Sequence, residues 1–576
     1  MVALVKESGD GDVSVPGTIQ ALLAARLDQL EPAERGVLER GSVEGRVFHR
    51  GAVQALAPEE KQVDARLTGL VRKELVRPDK AQLPGEDAYR FRHLLIRDAA
   101  YEALPKATRA ELHERFAAWL EEYGMGLVEL EEITGYHLEQ AYRYRVELGS
   151  AEGLDELRNR AAKRLAAAGR RSVAVRDVAA ASNLLGRAVT LAEPTGREGV
   201  ELLLDFAWTL LDRGQLQESE TRYEEALALA RAAGDRALEL HASCDLNVLR
   251  MVRAPSFTAA AALELGHEAV TELEALGDDR GLMSAWLLVM LGENTRANWQ
   301  NVVVALEHII EHARKVGDRR HEGDALQSLG PSLFWGPTPL DAALPRLEGI
   351  LEEIRGDKSL QAWMRRAIAG FYAMQGRFDE GRALLKEARQ SLEELGRALD
   401  VATLAFWTGP LELLAGEAEA AERELGAACD SLETAGETGW LATMAALHAE
   451  ALYQLGRFAD AEAAVGRSRG AAKSDDYDAQ AYWRSVYAKV LAQRGGLEEA
   501  MPLAREALEF IDRTDEVNQQ ATFRLNLAEV LRLAERPGEA VTVLERALEL
   551  FEQKGNRVMT DRTRALLDEL GARVSS

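Results

Sequence analysis

One stretch of the sequence has residue types and spacing that could hold a metal ion. His308-Ile-Ile-Glu-His312 fits H-x-x-E-H, a zinc-protease pattern that places two imidazoles one helical turn apart. The stretch falls in a predicted helix whose buried stripe consists of Leu306, Ile309, Ile310 and Ala313. No motif for a third ligand follows. We therefore predict that His308, Glu311 and His312 face solvent and bind no metal.

Other chemistry-bearing motifs are missing from the sequence. The chain has no Gly-Lys dipeptide, which excludes the phosphate-binding loop G-x4-G-K-[ST]. Cys244 and Cys429 lie too far apart to show metal-ligand spacing, and Asp10-Gly-Asp12 lacks the pattern of a calcium loop. We predict that the chain has no catalytic residue, no metal and no cofactor.

The charge of the chain narrows the classes of partner. The 576 residues carry a net charge of −25. Residues 1–124 account for −3 of it (18 Lys and Arg against 21 Asp and Glu), which leaves −22 for the remainder. Because an acidic surface repels phosphate backbones, no nucleic-acid partner is expected. Two cysteines and no long uncharged apolar run predict a cytoplasmic protein that does not enter membranes.

Two series of glycines recur along the chain with a period of about 40 residues. Gly376, Gly416 and Gly456 are 40 residues apart, and Gly495 follows after 39. The second series runs through Gly277, Gly317, Gly356, Gly396 and Gly436 at spacings of 40, 39, 40 and 40. By phase, further turns are expected near residues 174, 254, 295 and 335. Two interleaved series with one period predict two helices per repeat.

The sequence within each period supports helical hairpins. A small residue follows the first glycine, then a large residue four positions on, then a small residue three positions later. These small residues include Gly381, Ala421, Ala461 and Ala500. Such spacing places them on one helix face, where small side chains let two helices approach closely. The pattern resembles the tetratricopeptide family and predicts an all-α solenoid of about ten hairpins over residues 151–576.

The concave groove of such a solenoid is expected to bind proteins or peptides. Trp208, Trp363 and Trp483 lie in predicted first helices of their hairpins. Core packing is one interpretation of these tryptophans, and contact with a partner in the groove is the other.

Residues 15–105 show a different pattern. Thr18 can cap a first helix, Pro32 opens a second, and a third helix is expected over residues 60–71. The segments 74–77 and 89–92 are predicted to be two strands that flank a Pro- and Gly-containing loop. Helices followed by a small hairpin predict a winged-helix domain. Its cations Arg66, Arg72, Lys73 and Arg77 alternate with Asp64, Glu74 and Asp79, which argues against DNA binding.

Several segments resemble the large bacterial STAND-type ATPases. They are residues 15–28, Ser42-Val-Glu-Gly-Arg-Val-Phe48, Phe91-Arg-His-Leu-Leu-Ile-Arg-Asp-Ala-Ala-Tyr101 and Leu112–Leu120. In that family an ATPase core is followed by a winged helix and tetratricopeptide-like repeats. A class III adenylate/guanylate cyclase or a Ser/Thr kinase domain often precedes the core. Glu44 departs from the family, in which an apolar residue is common at that place.

The resemblance implies a layout and a set of roles. Residues 1–14 are expected to be a disordered remnant of the ATPase linker, 15–105 the winged helix, 106–150 a helical connector and 151–576 the solenoid. Arg92, His93, Arg97 and Asp98 are expected to relay nucleotide state between an ATPase core and the repeats. That core, or a cyclase module, would lie upstream or on another chain, since the sequence begins about where the ATPase core of the relatives ends.

Three functions fit this layout. The leading hypothesis is a regulatory scaffold, the sensing half of a STAND-type ATPase or cyclase system. The second is a fragment of an adenylate/guanylate cyclase or kinase. The third is a LuxR-type transcriptional regulator without its helix-turn-helix, although the final residues 566–576 continue the last repeat.

Overall fold

Helices and three short strands make up the part of the chain that the computed structural model describes, namely residues 23, 25–253, 257–473 and 476–574. Two residues that bear on the sequence analysis, the expected cap Thr18 and Pro255 at the turn expected near residue 254, lie outside these residues. The same is true of the first segment of the family resemblance up to residue 22. The chain folds into two compact units. Unit 1 extends to Leu238, and unit 2 begins at Glu239.

The first part of unit 1 contains three helices and a three-stranded sheet. In chain order the elements are α1 (Pro32–Glu44), β1 (Val47–His49), α2 (Arg50–Leu56), α3 (Val63–Arg72), β2 (Val76–Asp79) and β3 (Ala88–Phe91). The predicted start of a helix at Pro32 is confirmed, with Pro32 in the first turn. The core between helices and sheet includes Leu38, Phe48, Leu67 and Phe91.

The sheet has the order β1-β3-β2, and both pairs are antiparallel. Two strands were expected at 74–77 and 89–92, and they lie instead at Val76–Asp79 and Ala88–Phe91. The third strand, Val47–His49, was not predicted. Its three residues pair with β3, with Phe48 opposite Tyr89. A strand this short is stabilised by its neighbours and leaves no alternating pattern in the sequence.

Glu44, which occupies a place where the resemblance led us to expect an apolar residue, has a polar role. Its carboxylate accepts the backbone N–H of His49 at 2.8 Å and lies 2.5 Å from the Nδ1 of the same histidine. The contact ties the end of α1 to the end of β1, and both side chains are largely buried.

Three helices follow the sheet in unit 1. They are α4 (Leu94–Glu102), α5 (Lys106–Tyr123) and α6 (Leu130–Glu147). Their contact buries Phe116, Trp119 and Leu120 against residues of α2.

The remaining helices alternate as ten successive pairs and a single last helix. The pairs are α7 (Leu154–Ala174) and α8 (Val178–Ala192); α9 (Gly196–Asp212) and α10 (Leu216–Ala233); α11 (Arg236–Arg253) and α12 (Ala259–Leu276); α13 (Asp279–Thr295) and α14 (Trp299–Val316); α15 (Arg319–Trp335) and α16 (Leu340–Glu353); α17 (Lys358–Met374) and α18 (Phe378–Glu394); α19 (Ala398–Thr403) with α20 (Ala405–Ala415), and α21 (Ala418–Ala435); α22 (Thr438–Gln454) and α23 (Phe458–Ala471); α24 (Tyr477–Gln493) and α25 (Leu497–Ile511); α26 (Val517–Leu533) and α27 (Pro537–Lys554). The last helix is α28 (Arg557–Val574). The predicted all-α, tetratricopeptide-like solenoid of about ten hairpins is confirmed.

The glycines of both series lie in the loops between helices. Gly376, Gly416 and Gly456 have φ between 72° and 85°, a left-handed conformation that glycine adopts without steric cost. Other residues make the same turn where the glycine is missing. Arg176, Ala297 and Glu535 have φ of 61°, 49° and 56°, so the turn is kept at these places without glycine.

The small residues of the repeat pack where the pattern places them. Ala421, Ala461 and Ala500 have no exposed surface. A Cβ atom added to Gly381 would lie 2.7 Å from Leu411 Cδ1, so a larger residue there would push α18 away from α20.

One helical stretch among the described residues, Ala398–Ala415, is long and apolar enough to cross a membrane by the criteria of length and composition. It comprises α19 and α20, which are separated at Leu404. In the fold it is the first arm of the seventh hairpin, and Leu404, Phe406 and Trp407 are buried in the core of unit 2.

Candidate functional site

Unit 2 encloses a cavity of about 710 Å³. Residues of the first helices of the fifth to tenth hairpins line it, together with residues of α27 and α28. We call it the central cavity.

One wall of the central cavity is aromatic and aliphatic. Phe334 and Trp335 lie at the end of α15, with ring centroids 4.9 Å apart in a T-shaped arrangement. Phe334 also contacts Trp407 at 4.8 Å. Leu413, Leu414 and Phe523 extend this apolar surface. The wall can bury apolar groups of a ligand, which is the main source of affinity in such pockets.

The opposite wall carries a chain of hydrogen bonds across three neighbouring first helices. Lys489 Nζ donates to both carboxylate oxygens of Glu450 at 2.8 and 2.6 Å. Tyr453 donates to Glu529 Oε1, and Gln493 donates to the Tyr453 hydroxyl at 3.1 Å. Lys489 is 2% exposed, so its charge depends on Glu450 for compensation.

Amide side chains add donors and acceptors to this surface. Asn526 Nδ2 donates to Ser485 Oγ at 2.8 Å, and Asn556 Nδ2 donates to Asn518 Oδ1 at 2.8 Å. Both asparagines and Asn518 line the cavity. An amide can donate and accept at once, which suits a ligand that contains peptide groups.

Two arginines complete the lining. Arg562 Nη2 donates to the Leu414 carbonyl at 2.7 Å and pairs with no carboxylate among the described residues. The Arg532 guanidinium makes no hydrogen bond, ion pair or ring contact with any residue in the described part of the chain. Both guanidiniums are therefore available to an anionic group of a ligand.

The solenoid of unit 2 contacts itself beside the cavity, where residues about 216 positions apart meet. At the first contact, Asp515 accepts the backbone N–H groups of Trp299 and Gln300 at 2.9 and 2.8 Å. It thereby caps α14 from a distant hairpin. Trp299 Nε1 donates to Glu516 Oε1 at 2.8 Å, and burial raises the pKa of Glu516 to about 7.

The second contact is made by Lys554 at the end of α27. Its Nζ donates to the carbonyls of Leu333, Gly336 and Thr338 at 2.9, 2.6 and 2.9 Å. The side chain has no exposed surface, and burial lowers its pKa to about 7. We call these two contacts together the seam.

A second buried polar cluster lies in unit 1, between α4, α5 and α6. His113 Nδ1 is 2.7 Å from His137 Nδ1, and His113 Nε2 is 2.7 Å from the Tyr101 hydroxyl. That hydroxyl is 3.0 Å from the hydroxyl of Tyr144. Burial lowers the pKa of His113 to about 3 and holds that of His137 well below its ordinary value. We call these four residues the histidine joint.

The residues expected to relay a signal lie beside this joint. Arg92 and His93 are exposed, and His93 directly precedes α4. Arg97 is half-buried, donates to the Ser42 carbonyl at 3.2 Å and to Asp98 at 2.8 Å, and lies over the Tyr101 ring. Arg97 and Asp98 are therefore connected to the joint, whereas Arg92 and His93 face solvent.

The three tryptophans for which core packing or groove contact was considered lie in first helices, as predicted, and none of them lines the central cavity. Trp483 is 6% exposed, and the Arg484 guanidinium lies 4.2 Å from its ring centroid. Trp363 is half-buried and stacks on Arg366 at 3.4 Å. Trp208 is half-buried in α9.

The expectation for the H-x-x-E-H stretch is wrong for one of its residues. His312 is 7% exposed, and its Nδ1 lies 2.7 Å from Asp279 of the preceding helix. His308 is half-buried and stacks on Trp286 at 4.1 Å, and Glu311 is exposed. The helix packs against neighbours on more than one side, which a single apolar stripe does not reveal. The described residues contain no group of three metal-ligating side chains.

Several lining residues were not singled out from the sequence. Trp335, Tyr453, Lys489 and Glu529 belong to four different hairpins and meet only through the curvature of the solenoid. One signal was present. A lysine at position 489 within the apolar run Tyr487–Leu491 of a first helix is unexpected for a buried face, and it indicates a paired charge.

Comparisons with known proteins agree with the repeat. The family model of the tetratricopeptide repeat matches residues 201–233, which span most of α9 and all of α10. No curated protein matches the chain.

Among solved structures, the anaphase-promoting-complex tetramer Cut9-Hcn1 is 14% identical over 82% of this chain and 92% of that one, with a TM-score of 0.41. A STAND protein with a tetratricopeptide repeat sensor from Pyrococcus horikoshii is 16% identical over 97% and 68%, with a TM-score of 0.38. A Rap protein complexed with competence and sporulation factor is 12% identical over 66% and 99%, with a TM-score of 0.41.

Proposed function

We propose that this chain is a regulatory protein whose unit 2 binds a short peptide segment in the central cavity. The observation that carries the proposal is the lining itself, which combines an apolar wall, amide groups and charges of both signs. The chain would act as a scaffold or sensor, with a protein or peptide as its partner.

The size of the cavity limits the ligand. Pockets for small molecules and short segments measure roughly 300 to 1,000 Å³, and the 710 Å³ here falls within that range. A folded domain is too large to enter. A few residues of extended chain would fill the space and bring apolar side chains against Phe334, Trp335 and Phe523.

The charges of the lining favour a ligand that carries both signs. Lys489 and Glu450 neutralise each other. Arg532 and Arg562 remain for a carboxylate, and Glu529, one helical turn before Arg532 on α26, is an acceptor for an ammonium group. A short peptide supplies both groups together with amides that Asn518 and Asn526 can bind. A purely apolar ligand would exclude water from these polar groups without forming hydrogen bonds to them, and this desolvation would lower the affinity.

We further propose that this binding half serves a STAND-type ATPase or cyclase system, with the catalytic module upstream or on another chain in the cytoplasm. The elements from α1 to β3 would form the winged helix, acting as a structural hinge. Support for a hinge comes from ion pairs that neutralise its cations, Arg66 with Glu31 and Lys73 with Glu34. Arg92, His93, Arg97 and Asp98 would form the relay beside the histidine joint.

The central cavity can be tested by filling it. Thr522 lines the cavity and is half-buried, and its hydroxyl bonds to a backbone carbonyl of its own helix. The variant Thr522→Trp places an indole in the space. Thr542→Trp is the matched control, because Thr542 makes the same local bond on the exposed side of α27 and lies outside the cavity.

The measurement is affinity-selection mass spectrometry of the full chain with a library of synthetic tetra- to hexapeptides with free termini. We expect the wild type and Thr542→Trp to enrich the same peptides and Thr522→Trp to lose at least about tenfold in enrichment, the ratio that corresponds to one blocked contact of about 1.4 kcal/mol. Equal enrichment by all three proteins, or by none, would overturn the assignment of the cavity.

A further inference from the structure

We propose that the seam is a latch that opens and closes the central cavity. The inference rests on the proposed function only for what the cavity holds, and the opening itself can be measured without a ligand. The latch has two parts. Asp515 and Glu516 contact the start of α14, and Lys554 contacts the end of α15 and the loop that follows it.

The seam is the place where the wall around the cavity lacks chain continuity. Along the rest of that wall, each hairpin is joined to the next by a short loop. At the seam, Trp299 and Asp515 are 216 residues apart. Separation there breaks only non-covalent contacts, whereas separation between consecutive hairpins is limited by the connecting loop.

The chemistry of the seam suits reversible opening. Its side-chain links are hydrogen bonds that Lys554 donates and that Asp515 and Glu516 accept, and each of these groups regains water when the link breaks. One backbone bond, from the Asp515 N–H to the Ala297 carbonyl at 3.3 Å, accompanies them. Lys554 illustrates the balance, because its buried ammonium is bound by three carbonyls and hydrogen-bonds to no carboxylate among the described residues. The free energy needed to remove this charge from water offsets much of the free energy that the three hydrogen bonds provide. An apolar contact of the same size would not be compensated in this way, because its surface gains no favourable hydration when the contact opens.

The position of the seam connects it to the cavity. Phe334 and Trp335 line the cavity next to Leu333 and Gly336, whose carbonyls bind Lys554. Asn556 and Met559 line it on the other side, just beyond Lys554. Release of Lys554 therefore separates two parts of the cavity wall from each other.

The pKa values of Lys554 and Glu516 also favour reversible opening. Burial lowers the pKa of Lys554 to about 7 and raises that of Glu516 to about 7, so both groups are held in the closed seam against their preference for water. The groups that face Glu516 are Asp476, Asp478, Asp515, Trp299 and Lys554. The three acidic residues among them lie on the same side of the seam as Glu516, and only Trp299 lies across it.

The test exploits the two separate contacts of the latch. Lys554→Met removes the lysine contact and leaves α14 untouched. If the contacts open together, the backbone amides of Trp299 and Gln300, which Asp515 protects, exchange with deuterium at least about tenfold faster in the variant, as expected for a cooperative local opening. Hydrogen-exchange mass spectrometry of the full chain reads out a peptide that spans residues 297–301.

A matched control separates the latch from the loss of a helix cap. Asp515→Ala removes the cap of α14 across the seam, and Asp278→Ala removes the cap of α13, where Asp278 accepts the N–H groups of Arg280 and Gly281 within one hairpin. We expect Asp515→Ala to accelerate exchange at residues 333–338 as well, and Asp278→Ala to act only on its own helix. The Asp515 variant keeps the test decisive if Lys554→Met does not fold.

Two outcomes overturn the proposal. One is faster exchange confined to residues 333–338 in Lys554→Met and to 297–301 in Asp515→Ala. The other is an unchanged dissociation rate of the selected peptides from Lys554→Met, where we expect at least about a tenfold increase for an open cavity. Absence of any peptide binding by the wild type would contradict the proposed function instead, and the exchange result would stand without it.

Discussion

The histidine joint of unit 1 and the seam of unit 2 both bury polar side chains between helices, but they do so in different ways. The joint connects residues within 43 positions of each other through uncharged imidazoles and hydroxyls. The seam connects residues more than 200 positions apart through an ammonium and carboxylates. Neutral groups that are fully hydrogen-bonded gain little from water, so the joint is expected to stay closed. Charged groups gain much from hydration, and this difference makes the seam the contact that can open.

The largest expected effect concerns the packing around the joint. Phe116 is 1% exposed, and its ring lies 4.6 Å from that of His137. Phe116→Ala should lower the free energy of unfolding of unit 1 by about 3–5 kcal/mol, because it leaves a cavity among rigid neighbours. Urea titration of the full chain, followed by hydrogen exchange in α5 and α6, measures the change. Phe551→Ala, at an equally buried position in unit 2, is the control and should leave the exchange of α5 and α6 unchanged.

An intermediate effect is expected from acid. Burial lowers the pKa of His113 from 6.5 to about 3, so between these values the unfolded chain takes up a proton that the folded chain does not. Stability of unit 1 is therefore present above pH 6.5 and is lost as the pH falls. The loss is about 1.4 kcal/mol per pH unit for this imidazole, or about 2 kcal/mol at pH 5. Urea titrations at pH 7, 6 and 5 test the slope. His113→Leu should reduce the slope, while His137, whose pKa burial also lowers, keeps its own share. An unchanged slope in this variant would show that His113 does not stay uncharged in the joint.

The smallest effect is expected at the seam. Because burial raises the pKa of Glu516 to about 7, the closed seam already accepts a neutral carboxyl group. Glu516→Gln retains an oxygen that can accept the Trp299 Nε1–H, so the free energy of unfolding should change by less than about 1 kcal/mol. Glu516→Ala removes the acceptor and should accelerate exchange at residues 297–301. A loss well above about 1 kcal/mol in Glu516→Gln would show that the closed seam needs the ionised carboxylate.

The parts of the fold that were predicted from sequence depend on neighbours along the chain. Each hairpin packs on the next, so Gly376, Gly416 and Gly456 could indicate the repeat without knowledge of its curvature. The small residues at Ala421 and Ala461 follow from the same local contact. The short strand β1 was missed because its three residues are held by partners on β3 and carry no pattern of their own.

The candidate site could not be predicted in the same way. The lining residues Trp335 and Tyr453 lie in hairpins three apart, and Asp515 reaches α14 of the fourth hairpin from the loop between the ninth and tenth hairpins. A contact between distant hairpins depends on the geometry of every repeat between them, so no local sequence pattern encodes it. His312 shows the same limit on a smaller scale, since Asp279 on the adjacent helix draws a side chain inward that the apolar stripe places outside.

Closure at the seam also limits how this protein can evolve. An open solenoid tolerates the gain or loss of one repeat, because each unit contacts only its neighbours. Here the duplication or deletion of a single unit between Trp299 and Asp515 would shift the capping carboxylate by a whole hairpin and leave α14 without its partner. The number of repeats in this segment should therefore stay constant among descendants of the gene, while units outside it remain free to vary.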